Sequence, residues 1–141
     1  GYGSHLLMDD ANIPSLLSLP YLGAIVNKNP IYQATRRLVL SQNNPHYFEG
    51  SYAKGVGSPH TGRGKVWPMS LIMTAMTSCD VNEIGSCLEM LKNTHSDTYF
   101  MHESFDPSNP KQYSRSWFAW ANTLFGELIL KLIEDYPDVV I

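Results

Sequence analysis

The chain has 141 residues, 43% of them hydrophobic and 16% charged, with a net charge of −3. That length suits one domain able to bury a core, and the composition is that of a globular chain rather than a disordered one. The acidic balance and the lack of a basic run exclude a nucleic-acid partner, and no run of about 18 apolar residues is present to form a membrane segment.

Cys79 and Cys87 lie eight positions apart on what reads as one helical segment. Two helical turns separate them by about 12 Å, too far for a disulfide, so both are expected as free buried thiols. The chain opens on Gly1-Tyr2-Gly3-Ser4-His5, with no initiator Met and no signal peptide. The expectation is the C-terminal piece of a longer protein.

In chain order, residues 1–12 read as a loop, with Asn12 as N-cap and Pro14 in the first turn of a helix over Ile13–Ala24. That helix is uncharged and apolar nearly all round, so it is expected buried, and bent or ended by Pro20. A second helix runs from Pro30 to about Ser41, with Ile31, Ala34, Leu38 and Val39 on its inner face. From Gln42 to Lys65 the composition turns to Asn, Pro, Gly, Tyr and His. A short strand is read at Tyr47–Tyr52, and the Gly-rich remainder reads as loop. Val66-Trp67-Pro68 opens a third, apolar helix to about Thr77. Asp80 and Glu83 form a capping box for a fourth helix ending near Leu91, with Ile84, Leu88 and Leu91 on its stripe. A polar, aromatic loop from Tyr99 feeds a fifth helix over Ser116–Glu134. Its Trp117, Trp120, Ala121, Leu124, Phe125, Leu128 and Leu132 recur at helical spacing. Pro137 ends it, and the tail is unassigned.

An irregular repeat of long polar loop, buried helix, turn and amphipathic helix emerges, its loops marked by Asp9, His60 and Glu103. Stacked units of that kind predict an all-α fold, an αα-hairpin toroid whose loops surround one concave site. Unpaired N–H groups at the inner helix ends would face hydroxyls or anions there.

Chemistry-bearing residues concentrate in those loops. Glu103, beside His102 and Arg115 in an aromatic setting, reads either as a solvated or ion-paired loop acid or as a catalytic carboxylate. Asp9 and Asp10 read either as first-turn acids favoured by the helix dipole or as ligands for substrate hydroxyls. Trp67 and Trp117 open helices beside polar loops and are the better candidates for stacking on a sugar, although tryptophans are more often core. The five histidines are scattered, with no Cys or second His at i+3 or i+4, so no zinc set is read. No nucleophile elbow occurs. The glycines at Gly55, Gly57, Gly62 and Gly64 precede no Gly-Lys-Ser/Thr, which excludes a phosphate loop.

Four phrases then carry a family likeness: Met-Asp-Asp-Ala-Asn-Ile-Pro-Ser-Leu-Leu-Ser-Leu-Pro-Tyr-Leu-Gly (8–23), Gly-Ser-Pro-His-Thr-Gly (57–62) with Val-Trp-Pro-Met-Ser-Leu (66–71), Met-His-Glu-Ser-Phe (101–105), and Arg-Ser-Trp-Phe-Ala-Trp-Ala-Asn (115–122). In this order, and over nearly the whole chain, they resemble glycoside hydrolase family 125, exo-acting α-1,6-mannosidases on an (α/α)6 barrel. The resemblance implies that Gly1–Leu7 is native and that these residues are the C-terminal part of a single catalytic domain. It implies inverting, metal-independent removal of terminal mannose from an oligosaccharide or N-glycan, with no cofactor. Inversion requires an acid and a base roughly 6.5–9.5 Å apart, with water between the base and the sugar. Glu103 matches the family's general base. The general acid is an Asp well upstream of Asp-Asp-Ala-Asn, so the fragment alone is predicted inactive. Asp9, Asp10, His60, Thr61, Trp67, His102, Arg115 and Trp117 are carried over as substrate-binding positions. A non-catalytic carbohydrate-binding toroid is the alternative from another class, and an (α/α)6 glycosidase of other linkage specificity is a third.

Overall fold

Residues 68–76 carry no charge on any face, and every one of them is buried. A helix wholly surrounded by protein has to satisfy its own polar side chains. Thr74 and Thr77 donate their hydroxyls to the carbonyls of Ser70 and Met73 one turn back, at 2.7 and 2.8 Å. Ser70 donates to the Trp67 carbonyl at 2.9 Å and accepts the Val56 N–H at 3.0 Å, tying this central helix to a neighbouring strand.

The computed structural model describes residues 3–140. Gly1 and Tyr2, which open the phrase read as native, and Ile141, at the end of the unassigned tail, lie outside them. In chain order the elements are α1 (Pro30–Val39), β1 (Tyr47–Glu49), β2 (Lys54–Val56), a 3₁₀ turn (Pro59–Thr61), α2 (Pro68–Met76), α3 (Val81–Asn93), β3 (Ser104–Asp106), β4 (Asn109–Ser114), α4 (Ala119–Asp135) and α5 (Pro137–Val140). The strands form two separate antiparallel hairpins, β1–β2 and β3–β4. Helix α2 packs against α3, α4 and β2, and its Leu71, Ile72 and Met73 lie in one core with Ile84, Leu91, Leu124 and Leu128. Among the described residues no helix is long and apolar enough to cross a membrane.

The described residues are therefore an α+β unit, and the all-α hairpin toroid expected from the sequence is overturned by the two hairpins. In β4, Asn-Pro-Lys-Gln-Tyr-Ser has no alternating apolar signal, because the strand is held by backbone pairing and not by a buried face. Phe105 in β3 also exchanges both backbone hydrogen bonds with Val66, at 2.9 Å each, which anchors the hairpin just ahead of α2. Strand β2 lies in the stretch read as Gly-rich loop.

The buried helix expected over Ile13–Ala24 is instead a series of turns, with Leu16 and Leu22 exposed and only Leu17 and Ser18 buried. Local hydrogen bonds replace the helical ladder. Ser15 N–H donates to Ser18 Oγ at 2.8 Å, Ser18 Oγ donates to the Ser15 carbonyl at 2.9 Å, and Asp9 accepts from Leu16 and Leu17.

Helix α1 forms where expected, with Asn29 accepting from Ile31 and Tyr32 N–H. Its inner face is different: Tyr32 and Val39 are buried, whereas Ile31 is 75% exposed. Tyr32 donates its hydroxyl to the Leu17 carbonyl at 2.8 Å, and Arg36 on the same side pairs with Glu83. In α3 the N-cap is Asp80, accepting from Asn82 N–H, but Glu83 turns to Arg36 and Ser78 instead of closing the capping box. Cys79 is exposed on the preceding turn, outside the helix, whereas Cys87 is buried and its thiol is pushed up to about 12 by desolvation. Helix α4 begins three residues later than expected. It buries Ala121, Leu124, Leu128 and Leu132 while Trp117 and Trp120 face outward, and Pro137 starts the short α5.

Candidate active site

The β3–β4 hairpin brings the two ends of its own segment together. Glu103 stands just before β3 and Arg115 just after β4, and the Glu103 N–H donates to the Ser114 carbonyl at 3.2 Å. Arg115 adopts a left-handed backbone with φ of 53°, an uncommon state for a residue with a Cβ. Beside it, Glu103 is only 6% exposed as a residue. Its Oε2 accepts from Arg115 Nε at 3.1 Å and from Ser114 Oγ at 3.2 Å. Its Oε1 accepts no hydrogen bond among the described residues and faces His60 Nε2 at 3.8 Å.

His60 comes from the 3₁₀ turn, which Ser58 caps by accepting the His60 N–H. The capping serine is itself held from the first loop: Ser58 Oγ donates to Asp10 Oδ2 at 3.2 Å and accepts from Asn12 Nδ2 at 3.1 Å. The Ala11 N–H also donates to the Gly57 carbonyl at 3.0 Å. Only glycine fits at 57, because a Cβ there would stand 1.9 Å from the Lys65 carbonyl oxygen. The loops marked by Asp9, His60 and Glu103 thus meet, although the described residues do not form the toroid that predicted their meeting.

The predicted site residues divide into two groups. His60 and Arg115 are exposed beside Glu103, Trp117 is exposed two residues beyond Arg115, and Thr61 is half-buried. Trp67 is 1% exposed, donates its indole N–H to Thr61 Oγ1 at 2.9 Å, and meets His60 and Phe118 edge-on at 6.3 and 6.2 Å. It braces the wall and offers no free face. His102 is equally buried, flat against Tyr113 with ring centroids 3.9 Å apart, its Nδ1 within 3.2 Å of both the Arg115 and Ser116 carbonyls. Burial lowers the His102 pKa, opposed by those two carbonyls, so the ring is a neutral brace for the β4–α4 corner. Both carboxylate oxygens of Asp9 accept backbone N–H groups, and burial raises its pKa against those bonds. Asp10 is taken by Asn12 and Ser58. Among the described residues no group of three or more His, Cys, Asp and Glu side chains could hold a metal ion.

A buried carboxylate anchored on one oxygen, beside an exposed Arg and an exposed His, suits hydroxyl-rich ligands and acid–base work on them. The family model described as metal-independent alpha-mannosidase (GH125) matches residues 1–130. The chain belongs to glycoside hydrolase family 125.

Two relatives place this family 125 chain further. The Meiotically up-regulated gene 157 protein of Schizosaccharomyces pombe is 52% identical over 141 residues, covering 99% of this chain and 28% of that protein. A Streptococcus pneumoniae structure described among metal-independent alpha mannosidases, a non-productive substrate complex with α-1,6-mannobiose, is 44% identical with a TM-score of 0.90. That match covers 96% of this chain and 32% of the other. The family 125 segment therefore spans less than a third of the length of either relative.

Ser58, Ser114 and Asn12 are the site residues that reading the sequence passed over. Ser58 was findable, since Ser followed by Pro is an N-cap with proline in the first position. Ser114 was not, because its place opposite Glu103 depends on a hairpin that leaves no hydrophobic pattern.

Proposed function

We propose that this chain forms part of a single glycosidase catalytic domain that releases terminal α-1,6-linked mannose from an oligosaccharide or N-glycan, with inversion and without metal. Glu103 acts as the general base. The observation that carries this reading is the split environment of the Glu103 carboxylate. Arg115 and Ser114 occupy Oε2, which leaves Oε1 to accept a proton from water. The partner acid is an Asp outside these residues, standing roughly 6.5–9.5 Å from Glu103 so that a water fits.

His60, Thr61, Arg115 and Trp117 contact the sugar. The two terminal amino groups of Arg115 accept no role in the Glu103 contact, which uses Nε, and they suit sugar hydroxyls. The exposed Trp117 ring offers its face to sugar C–H groups. Asp9, Asp10, Trp67 and His102 shape the pocket from behind.

In the full-length chain, Glu103→Gln keeps the size and hydrogen bonds of the side chain but removes the base. It is expected to lower kcat on α-1,6-mannobiose by about 10²–10⁴-fold with KM little changed. A kcat within a few-fold of the parent would remove Glu103 from the mechanism.

A further inference from the structure

The hydroxyls of Ser104 and Ser114 touch at 2.8 Å across the β3–β4 ladder, where the two residues are direct register partners. Ser104 is fully buried and Ser114 half-buried. A geometric contact between two hydroxyls does not say which one donates, but the third member of the chain does. Ser114 Oγ also lies 3.2 Å from Glu103 Oε2. A carboxylate that serves as a general base only accepts, so the single proton on Ser114 points to Glu103. Ser104 must then donate to Ser114. The result is a one-directional relay, Ser104 to Ser114 to Glu103, in which each hydroxyl is polarised by the one behind it.

We propose that Ser104 and Ser114 are positioning residues that act through Glu103, holding its carboxylate turned so that Oε1 faces the attacking water. This rests on Glu103 being the general base. The placement has a structural logic. Arg115 supplies charge to the same oxygen, but its side chain is 62% exposed and is called on to meet substrate as well. A relay drawn from a buried serine in the hairpin is fixed before substrate arrives and needs no reorganisation during the reaction. It also accounts for a hydroxyl at the fully buried position 104 of β3, where an apolar side chain would ordinarily stand.

The test uses the full-length chain and α-1,6-mannobiose, following kcat/KM against pH in four variants. Ser114→Ala removes the donor to Glu103 and is expected to lower kcat/KM about tenfold at neutral pH and to move the acid limb up by about one pH unit. Ser114→Thr keeps the hydroxyl and is expected to restore both. Ser104→Ala weakens the relay from behind, so its acid limb moves in the same direction by less. Glu103→Gln separates the two levels. An unshifted acid limb in both serine variants, with Glu103→Gln inactive, overturns the relay and leaves the base in place. Near-parent activity in Glu103→Gln overturns both. Should Ser114→Ala fail to fold, as its circular dichroism would show, Ser104→Ala decides alone: a shifted limb supports the relay and an unmoved one overturns it.

Discussion

Two Arg–Glu pairs in this chain meet the same chemistry in opposite surroundings. Arg36 meets Glu83 with both terminal nitrogens, each at 2.9 Å from a different carboxylate oxygen, and adds a bond to the Thr74 carbonyl at 2.8 Å. There the arginine is the buried partner, at 11% side-chain exposure against 32% for the glutamate. Ser78 donates to the same glutamate, so both its oxygens are occupied. Arg115 meets Glu103 through Nε alone, and the burial is reversed, 62% for the arginine and 8% for the glutamate. The first pair locks α1 to the start of α3 and leaves nothing to react. The second hides the carboxylate, fixes one oxygen and leaves the other open beside His60. A carboxylate held at both oxygens makes a strut, and one held at a single oxygen keeps an acceptor for the proposed reaction.

The largest effect that could break this contrast is the collapse of kcat in Glu103→Gln, which should come with little change in thermal stability. Loss of stability with retained kcat would make Glu103 another strut. Next, Glu83→Ala strands the Arg36 guanidinium. Unfolding free energy is expected to fall by about 2 kcal/mol, less than for a wholly buried pair because Glu83 is partly exposed. Turnover per folded molecule should be unchanged, and a matching fall in turnover would show that the two pairs are not separate devices. Arg115→Lys should do the reverse. A lysine has no Nε fork, so kcat/KM is expected to drop about tenfold, while stability measured by chemical denaturation moves by less than about 0.5 kcal/mol.

The smallest effect concerns the brace beneath the second pair. The pKa of His102 is lowered by burial, so its folded state favours the neutral ring. Its contribution to stability is present above the ordinary histidine value of 6.5 and is lost as pH falls through the depressed folded value. Thermal unfolding followed from pH 7 downward should show that loss, and His102→Phe, which keeps a ring against Tyr113, should flatten it. Asp9, with its pKa raised by burial, acts with the opposite sign at lower pH. Its contribution is full below 3.8 and is lost as pH rises through the folded value. An identical pH slope in His102→Phe and the parent would sink the assignment.

Some of this was legible in the residues themselves. The start of α1 at Pro30 behind Asn29, the Asp80 cap of α3, the uncharged run of α2 and the stripe of α4 follow from local rules, because caps, proline and helical spacing act within a few residues. The family phrases were equally visible, and with them Glu103. The stretch 13–24 was misread because an apolar, proline-bearing run is compatible with a buried helix until the serine hydroxyls and the Asp9 carboxylate claim its backbone. Glu83 departs from its expected place for a related reason: it had a local use in a capping box and a distant one at Arg36, and the distant one prevailed, whereas Arg115 does pair with Glu103.

The sequence by itself determined which segments could be helical and which carboxylate lies in a family phrase. Only the tertiary structure decided what that carboxylate does with its two oxygens. Ser114, Arg115 and His60 reach it through a hairpin and a 3₁₀ turn whose pairing is made by backbone groups that every residue carries. Backbone pairing leaves no composition signal, so the environment of Glu103 exists only once the chain has folded.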